Sequence, residues 1–258
     1  MPQYPKKLNI LVTNDDGITA GNLAILARAA KQFGNVTVVA PAGQCTAMSR
    51  KLTICKDMEV RRADDFPMEG VEAWSLDGTP VDCVKAAYYC LMKEKPDLIL
   101  SGINYGYNAG LDCAYSGTAG AAFEGTMLGI PAIAVSHDVP QGSLFDGNGS
   151  EYAVVNEYLV PIIRELIDTE LEPWCFWNVN IPGCSLNELK GIKRGVKPAK
   201  LHPYMDNLVM KSEPDGKTTI GVWDYMVKIE NTEEGTDINA LLNNYISIGK
   251  ITESMLMG

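Results

Sequence analysis

Histidine is almost missing from this chain: His137 and His202 are the only two in 258 residues. Chemistry built on a phosphohistidine, or on a metal held by several imidazoles, has too few side chains to work with. The cysteines, at positions 45, 55, 83, 90, 113, 175 and 184, are odd in number and include no Cys-x-x-Cys pair. A disulfide framework and a thiolate zinc site are thereby disfavoured, and the thiols fit a reducing cytoplasm. A basic surplus is absent as well, since 22 Lys and Arg face 32 Asp and Glu for a formal net charge of −10. Nucleic-acid polymers need clustered cations along their backbone, so none is expected as a partner. A small anionic substrate remains compatible if a local cation attracts it. No apolar run reaches membrane-spanning length and no signal-type h-region opens the chain, so the expectation is a cytoplasmic protein without a membrane partner. Internal repeats and low-complexity segments are also lacking.

What the chain does have is a strand-and-helix alternation. The apolar run Leu8–Thr13 reads as a first strand, and Asn22–Phe33 places Leu23, Leu26, Ala27, Ala30 and Phe33 on one helical face before Gly34. Strands are expected at Val36–Ala40, Val71–Leu76, Asp97–Leu100 and Pro131–Val135. Helices are expected from Thr79 with Pro80 to about Met92, over Thr118–Leu128, and over Tyr152–Ile167. Such alternation implies an α/β, doubly wound, mainly parallel sheet with right-handed crossovers. After Trp174–Ile181 the rhythm changes to short β-like pieces, Gly191–Val196 and Thr218–Val227. We therefore read residues 1–198 as the core and 199–258 as a β-hairpin-bearing extension suited to oligomerisation.

Asn14-Asp15-Asp16-Gly17 follows the first strand directly. Two carboxylates about 4 Å apart repel by about 4 kcal/mol at an effective dielectric near 20. A proton or a bound cation removes that cost. Successive strand side chains point to opposite faces, so both Asp address one point only if the chain turns, which Gly17 makes easy. An isolated Asp-Asp-Gly also serves as a plain solvated turn, and the surrounding strand ends must decide.

Parallel strands place their C-terminal ends on one edge, where ligands bind at a switch point in strand order. Three polar segments follow three expected strands there: Asp15-Asp16, then Ala42 to Ser49, then Ser101-Gly102-Ile103-Asn104. Their donors are carboxylate, hydroxyl and amide oxygens, a set that suits Mg²⁺ or Mn²⁺ rather than zinc. The stretch 101–117 is long for a connection, and long ordered loops tend to be functional. Its exit, Ser116-Gly117-Thr118, enters a helix whose N-terminal amides favour an anion. The helix dipole supplies only about 0.3–1 kcal/mol, enough to orient a phosphate but not to stabilise its transfer. Ser116 is also simply a good N-cap. Tyr105, Tyr107 and Tyr115 can stack on a base or pack the loop onto the sheet, and packing is the expectation. Asp77 to Pro80 reads as a turn and cap, with Asp82 favourable to the helix dipole.

These residues resemble the SurE family of survival-protein nucleotidases. The likeness is carried by Asn14-Asp15-Asp16-Gly17, by Gly78-Thr79-Pro80-x-Asp82-Cys83, by Ser101-Gly102-Ile103-Asn104-x-Gly106-x-Asn108-x-Gly110, and by Tyr115-Ser116-Gly117-Thr118-Ala119. Weaker echoes occur at 178–182, 235–237 and 245–248. The resemblance implies a Rossmann-like, metal-dependent phosphomonoesterase hydrolysing nucleoside 5′- and 3′-monophosphates, working as a homodimer or homotetramer. It implies that Asp15, Asp16 and Asn104 are metal ligands. A family Ser-Gly-x-Ser stretch is Thr46-Ala47-Met48-Ser49 here, which makes Thr46 the fourth ligand. Asn108, Ser116, Gly117 and Thr118 match the family's phosphate-contacting segment. Three positions depart from the pattern: Ala20-Gly21-Asn22 in place of Ala-Pro-Gly, Ala42 in place of an acidic residue, and Gly249 to Glu253 in place of a continuation with Asp and His.

The expected reaction is phosphomonoester hydrolysis by a metal-activated water attacking in line, with Asp15 or Asp16 accepting its proton. A phosphoacceptor receiver module is the alternative, since such modules also carry an acidic pair after the first strand, and Asp77 would mimic the acceptor. Ala132 to Ser136 ends without the Lys such modules need. A dinucleotide-binding protein would run from its first strand into Gly-x-Gly-x-x-Gly. Here two carboxylates stand in that place and would repel a pyrophosphate.

Overall fold

The computed structural model describes residues 7–138, 152–203, 208–213, 216–222 and 232–256. In chain order the elements are β1 (Leu8–Thr13), α1 (Gly21–Ala30), β2 (Gly34–Pro41), β3 (Val60–Arg62), β4 (Glu72–Leu76) and α2 (Pro80–Ala86). A π-helical turn, Ala87–Leu91, continues α2. Then come β5 (Leu98–Tyr105), a 3₁₀ turn (Gly110–Ala114), α3 (Gly117–Met127), β6 (Ala132–His137), α4 (Ala153–Ile167), β7 (Cys175–Ile181) and β8 (Gly191–Arg194). The chain ends with β9 (Leu208–Ser212), β10 (Thr218–Val222), α5 (Asp237–Leu242), β11 (Tyr245–Thr252) and α6 (Glu253–Leu256).

The fold is α/β. Among the described residues the main sheet runs β3-β4-β2-β1-β5-β6-β7-β11-β8. From β4 through β7 every neighbouring pair is parallel. β1 lies at its centre and is buried on both faces: Ile10, Leu11 and Val12 are fully enclosed. Period-two alternation divides them. Ile10 and Val12 join the cluster under α1 and α4, and Leu11 joins the cluster under α2 and α3.

The chain winds outward from β1 through β2 to β4, then crosses back to β5 and proceeds through β6 to β7. Strand order therefore reverses between β1 and β5, and the loops leaving these two strands face each other across the crevice. Glycines along α3 let it lie close to both the sheet and the loop after β2. A Cβ on Gly125 would sit 2.6 Å from Ile99 Cδ1, and one on Gly120 would sit 2.3 Å from the Ser49 carbonyl oxygen.

Several elements differ from the sequence expectation. β5 continues to Tyr105, so the long polar stretch begins as strand. β3 and α5 were not anticipated. The expected helix from Thr79 to Met92 is α2 followed by the π-turn. The described residues from 199 onward are of two kinds. β9 and β10 form their own antiparallel hairpin, whereas β11 lies in the main sheet, antiparallel to β7 and parallel to β8. Positions 223–227 of the expected strand lie outside the described residues.

Candidate active site

The turn after β1 is closed by Asn14, whose side chain is fully buried. Its amide oxygen accepts the Gly17 N–H at 3.2 Å and its amide nitrogen donates to the Gly17 carbonyl at 3.0 Å. Gly17 has φ +100°, and a Cβ there would press on the Gly43 backbone at 3.2 Å. Asn14 thus shapes the backbone that carries both carboxylates. The loop after β2 is stitched to the same turn, since the Cys45 N–H donates to the Asp15 carbonyl at 2.6 Å and the Ile18 N–H to Pro41 at 2.9 Å.

Asp15 is 3% exposed and points at the start of α3. Thr118 Oγ1 donates to its Oδ1 at 2.6 Å. A Cβ on Gly117 would stand 2.9 Å from Asp15 Cβ, so only glycine lets the helix start come this near. Burial raises the Asp15 pKa, and the Thr118 hydroxyl with the Thr118 and Gly117 amides offsets part of the rise. Asp16 is pushed up to about 7, first by burial and then by the Asp15 charge, with the Tyr105 amide pulling against both. Its Oδ2 is buried with no hydrogen-bond partner.

Asn104 reaches the same place from β5. Opposite β6 the register slips between Ser101 and Asn104, so three steps on β5 match two on β6. Gly102 occupies φ +132° in this bulge, where a Cβ would collide with the Val135 carbonyl oxygen at 2.2 Å. The Asn104 amide nitrogen donates to the carbonyls of Tyr105 at 3.1 Å and Gly106 at 2.9 Å. Its Oδ1 is thereby left facing Thr118 Oγ1, 3.5 Å away. One hydroxyl therefore lies against both Asp15 and Asn104, which brings the ends of β1 and β5 together at the start of α3.

The remaining expected site residues differ in how far they are engaged. Thr46 is exposed, and no hydrogen bond ties its hydroxyl to the acidic pair. Ala47 and Ser49 both have positive φ, 57° and 52°, and Ser49 Oγ donates to the Ala114 carbonyl at 2.8 Å. The segment expected to hold phosphate is engaged within the protein. Ser116 Oγ caps the Ala119 amide at 3.0 Å, and Gly117 and Thr118 turn toward Asp15. Asn108 is buried in an amide network. Its N–H donates to Asn180 Oδ1 at 2.8 Å, its carbonyl accepts from Asn178 at 2.8 Å and Asn180 at 3.2 Å, and its Nδ2 donates to Ser136 Oγ at 2.9 Å. Asp77 turns to solvent and pairs with Lys56 at 3.4 Å, outside any position for a buried phosphoacceptor.

Residues noted in the sequence only as weak family echoes, or as part of a turn and cap, complete the frame. Asn178 and Asn180 sit on β7, alternating with apolar residues in a strand that is buried throughout. Two amides in such a strand were the available signal, because buried polar groups need partners. Asp237 accepts the N–H groups of Gly110 at 2.9 Å, Ala199 at 2.9 Å and Ile238 at 2.8 Å, fastening the loop that follows Asn108. Asp82 does more than meet a dipole. It completes a capping box with Thr79 and also accepts from the Thr53 N–H at 3.0 Å and hydroxyl at 2.7 Å.

Residues 10–202 match the family description "Survival protein SurE". The chain belongs to the SurE family. Among curated SurE relatives, 5′-nucleotidase SurE of Geobacter sulfurreducens is 36% identical over 241 residues, covering 93% of this chain and 86% of that protein. 5′-nucleotidase SurE of Prochlorococcus marinus is 38% identical over 212 residues, covering 82% and 78%. The crystal structure of a SurE protein from Aquifex aeolicus superposes with a TM-score of 0.76 at 33% identity, covering 95% of this chain and 93% of that one. The α/β arrangement of the described residues is thus that of the SurE fold.

A divalent ion fits the oxygen set. Asp16 Oδ2 is a buried carboxyl oxygen without a partner, and Asn104 Oδ1 faces the Thr118 hydroxyl that also holds Asp15. Among the described residues no three His, Cys, Asp or Glu side chains gather as a metal cluster. The charge available is therefore two carboxylates, with neutral amide and hydroxyl oxygens to complete a hard-cation site.

Proposed function

We propose that this protein is a metal-dependent phosphomonoesterase that hydrolyses nucleoside 5′-monophosphates, and 3′-monophosphates as well, to nucleoside and phosphate. What supports the reading is the Thr118 hydroxyl shared by Asp15 and Asn104 at the β1/β5 switch point, with the strained Asp16 beside them in sequence, in a chain of the SurE family whose relatives are named 5′-nucleotidases. Asp15, Asp16 and Asn104 hold one Mg²⁺ or Mn²⁺, with Thr46 as a further oxygen from the loop after β2. Such an ion supplies positive charge for the phosphoryl oxygens and a more acidic water.

The protein's own groups do the rest. Thr118 and the Gly117 amide hold Asp15 in one orientation, and Asn14 fixes the turn. Asp15 or Asp16 accepts the proton of the attacking water, and whichever does so shares that duty with holding the ion. Ser116, Gly117 and Thr118 meet the phosphate through the start of α3 rather than through free side chains, and Asn108 acts through the network that fixes its loop. The Asn178–Asn180–Ser136 network keeps Asn108 from moving.

The hairpin β9–β10 carries Leu208, Met210 and Ile220, each about two-thirds exposed. Met210 pairs with Ile220, and Leu208 shares their face of the ribbon. A two-stranded ribbon of this kind is marginal alone, and we assign it to a homodimer or homotetramer contact. All seven cysteines are free thiols, which agrees with a cytoplasmic setting. No described helix is long and apolar enough to cross a membrane.

Phosphate release from adenosine 5′-monophosphate by purified protein tests the reading. Activity should vanish in excess chelator and return with Mg²⁺ or Mn²⁺. Turnover that persists undiminished after complete chelation rejects it.

A further inference from the structure

Tyr115 and His202 stand out as open aromatic rings, Tyr115 immediately before the helix start that touches Asp15. Tyr115 is 58% exposed, and the His202 side chain is 46% exposed. Their rings lie 6.0 Å apart, centroid to centroid, with planes inclined by 27°, an offset stack. Burial does not account for so open a pair. Tyr107 behaves otherwise, packing against Ala109, Ala199, Ile238 and Leu241.

The pair is held from several sides. His202 Nδ1 meets Asp112 Oδ1 at 2.5 Å. Because a carboxylate only accepts, that contact places the ring proton on Nδ1 and sets the ring's orientation. Asp112 lies in the 3₁₀ turn whose carbonyl receives the Tyr115 N–H at 3.0 Å. The Leu111 N–H donates to the Leu201 carbonyl at 3.0 Å, which brings His202 alongside. Gly110 permits this approach, since a Cβ there would lie 2.3 Å from the Leu201 oxygen.

The backbone of Tyr115 is tied into the acidic centre. Tyr115 immediately precedes Ser116-Gly117, where the helix start touches Asp15. Its carbonyl accepts the Ser49 N–H at 2.8 Å, from the loop whose Cys45 N–H is bonded to the Asp15 carbonyl. A phosphate at Asp15, Asp16 and Asn104 therefore has an exposed, preorganised aromatic surface one residue from the site's edge.

We infer that Tyr115 and His202 form the ledge on which the nucleobase of a nucleoside monophosphate stacks. This rests on the phosphomonoesterase reading above and adds the subsite for the leaving group. Stacking accepts any base, because every base has a π face, so the ledge gives a preference for nucleotides over other phosphomonoesters without selecting one base.

The test compares adenosine 5′-monophosphate with ribose 5-phosphate, the same ester without the base. In the wild type, kcat/KM should favour the nucleotide. In Tyr115→Ala the nucleotide-to-sugar ratio of kcat/KM should fall about tenfold or more, mainly through KM. Tyr115→Phe should restore most of the ratio, and His202→Ala should lower it. A ratio that stays at the wild-type value in Tyr115→Ala overturns the ledge, as does an equal loss on both substrates, which would mark a merely structural role. Failure of the wild type to hydrolyse either ester would instead overturn the phosphomonoesterase reading itself.

Discussion

At Asp16 the fold accepts a cost. Its carboxyl loses solvent, faces the Asp15 charge and keeps one buried oxygen without a partner, and its pKa is pushed up to about 7. The unfolded chain ionises this group near 3.8 and the folded chain near 7, so the folded state binds more protons between those values. Metal-free protein should consequently lose stability as pH rises from about 4 to 7, opposite to the usual trend for a salt-bridged carboxylate. Asp16→Asn removes both the repulsion and that pH slope. Thermal denaturation in chelator should show the variant more stable than wild type at pH 7.5, by an amount on the order of 1–4 kcal/mol. Its hydrolytic rate should fall beyond the ~10–100-fold typical of losing an outer-shell partner. A variant less stable than wild type at pH 7.5 would show that the acidic pair is not strained.

The elements place these residues by close approach. α3 reaches Asp15 only because its first residue is glycine, and Gly117→Ala sets a Cβ 2.9 Å from Asp15 Cβ and 3.3 Å from the Cys45 carbonyl. The helix start or the carboxylate must move. We expect a stability loss of about 1–3 kcal/mol and a fall in kcat of roughly 100-fold, the scale of a 1 Å misplacement. Denaturant melts with steady-state kinetics check both, and wild-type kcat in a folded variant would contradict the packing argument. How much of this was legible beforehand varies by element. Strand-helix alternation, the acidic pair and Asn104 could be read because they depend on local period and on strand ends. The partners of Asn108 could not, since Asn178 and Asn180 meet it only through the pairing of β6 with β7. Ser116-Gly117-Thr118 reads as an anion cradle in sequence, yet part of that cradle is turned to Asp15, and the anion it meets is the protein's own. β11 was hidden for a similar reason: its insertion between β7 and β8 is long-range pairing that no local pattern announces.

For the molecule as a whole, a central sheet supplies the site and a small ribbon supplies a second surface. If the β9–β10 face with Leu208, Met210 and Ile220 joins copies of the chain, Met210→Glu with Ile220→Glu should shift sedimentation toward the monomer. Circular dichroism should stay that of the wild type, because both side chains are largely exposed. An unaltered sedimentation profile would move the contact elsewhere. The more decisive question is whether the oxygens at the β1/β5 crevice act together on one ion. Titration of chelator-treated protein with Mn²⁺, followed by the paramagnetic resonance of the free ion, addresses it directly. Wild type should bind one Mn²⁺ per chain, Asp15→Asn and Asp16→Asn should abolish that site, and Asn104→Ala should weaken it by tenfold or more, about 1.4 kcal/mol. Binding of the same stoichiometry and affinity in all four proteins would contradict the account.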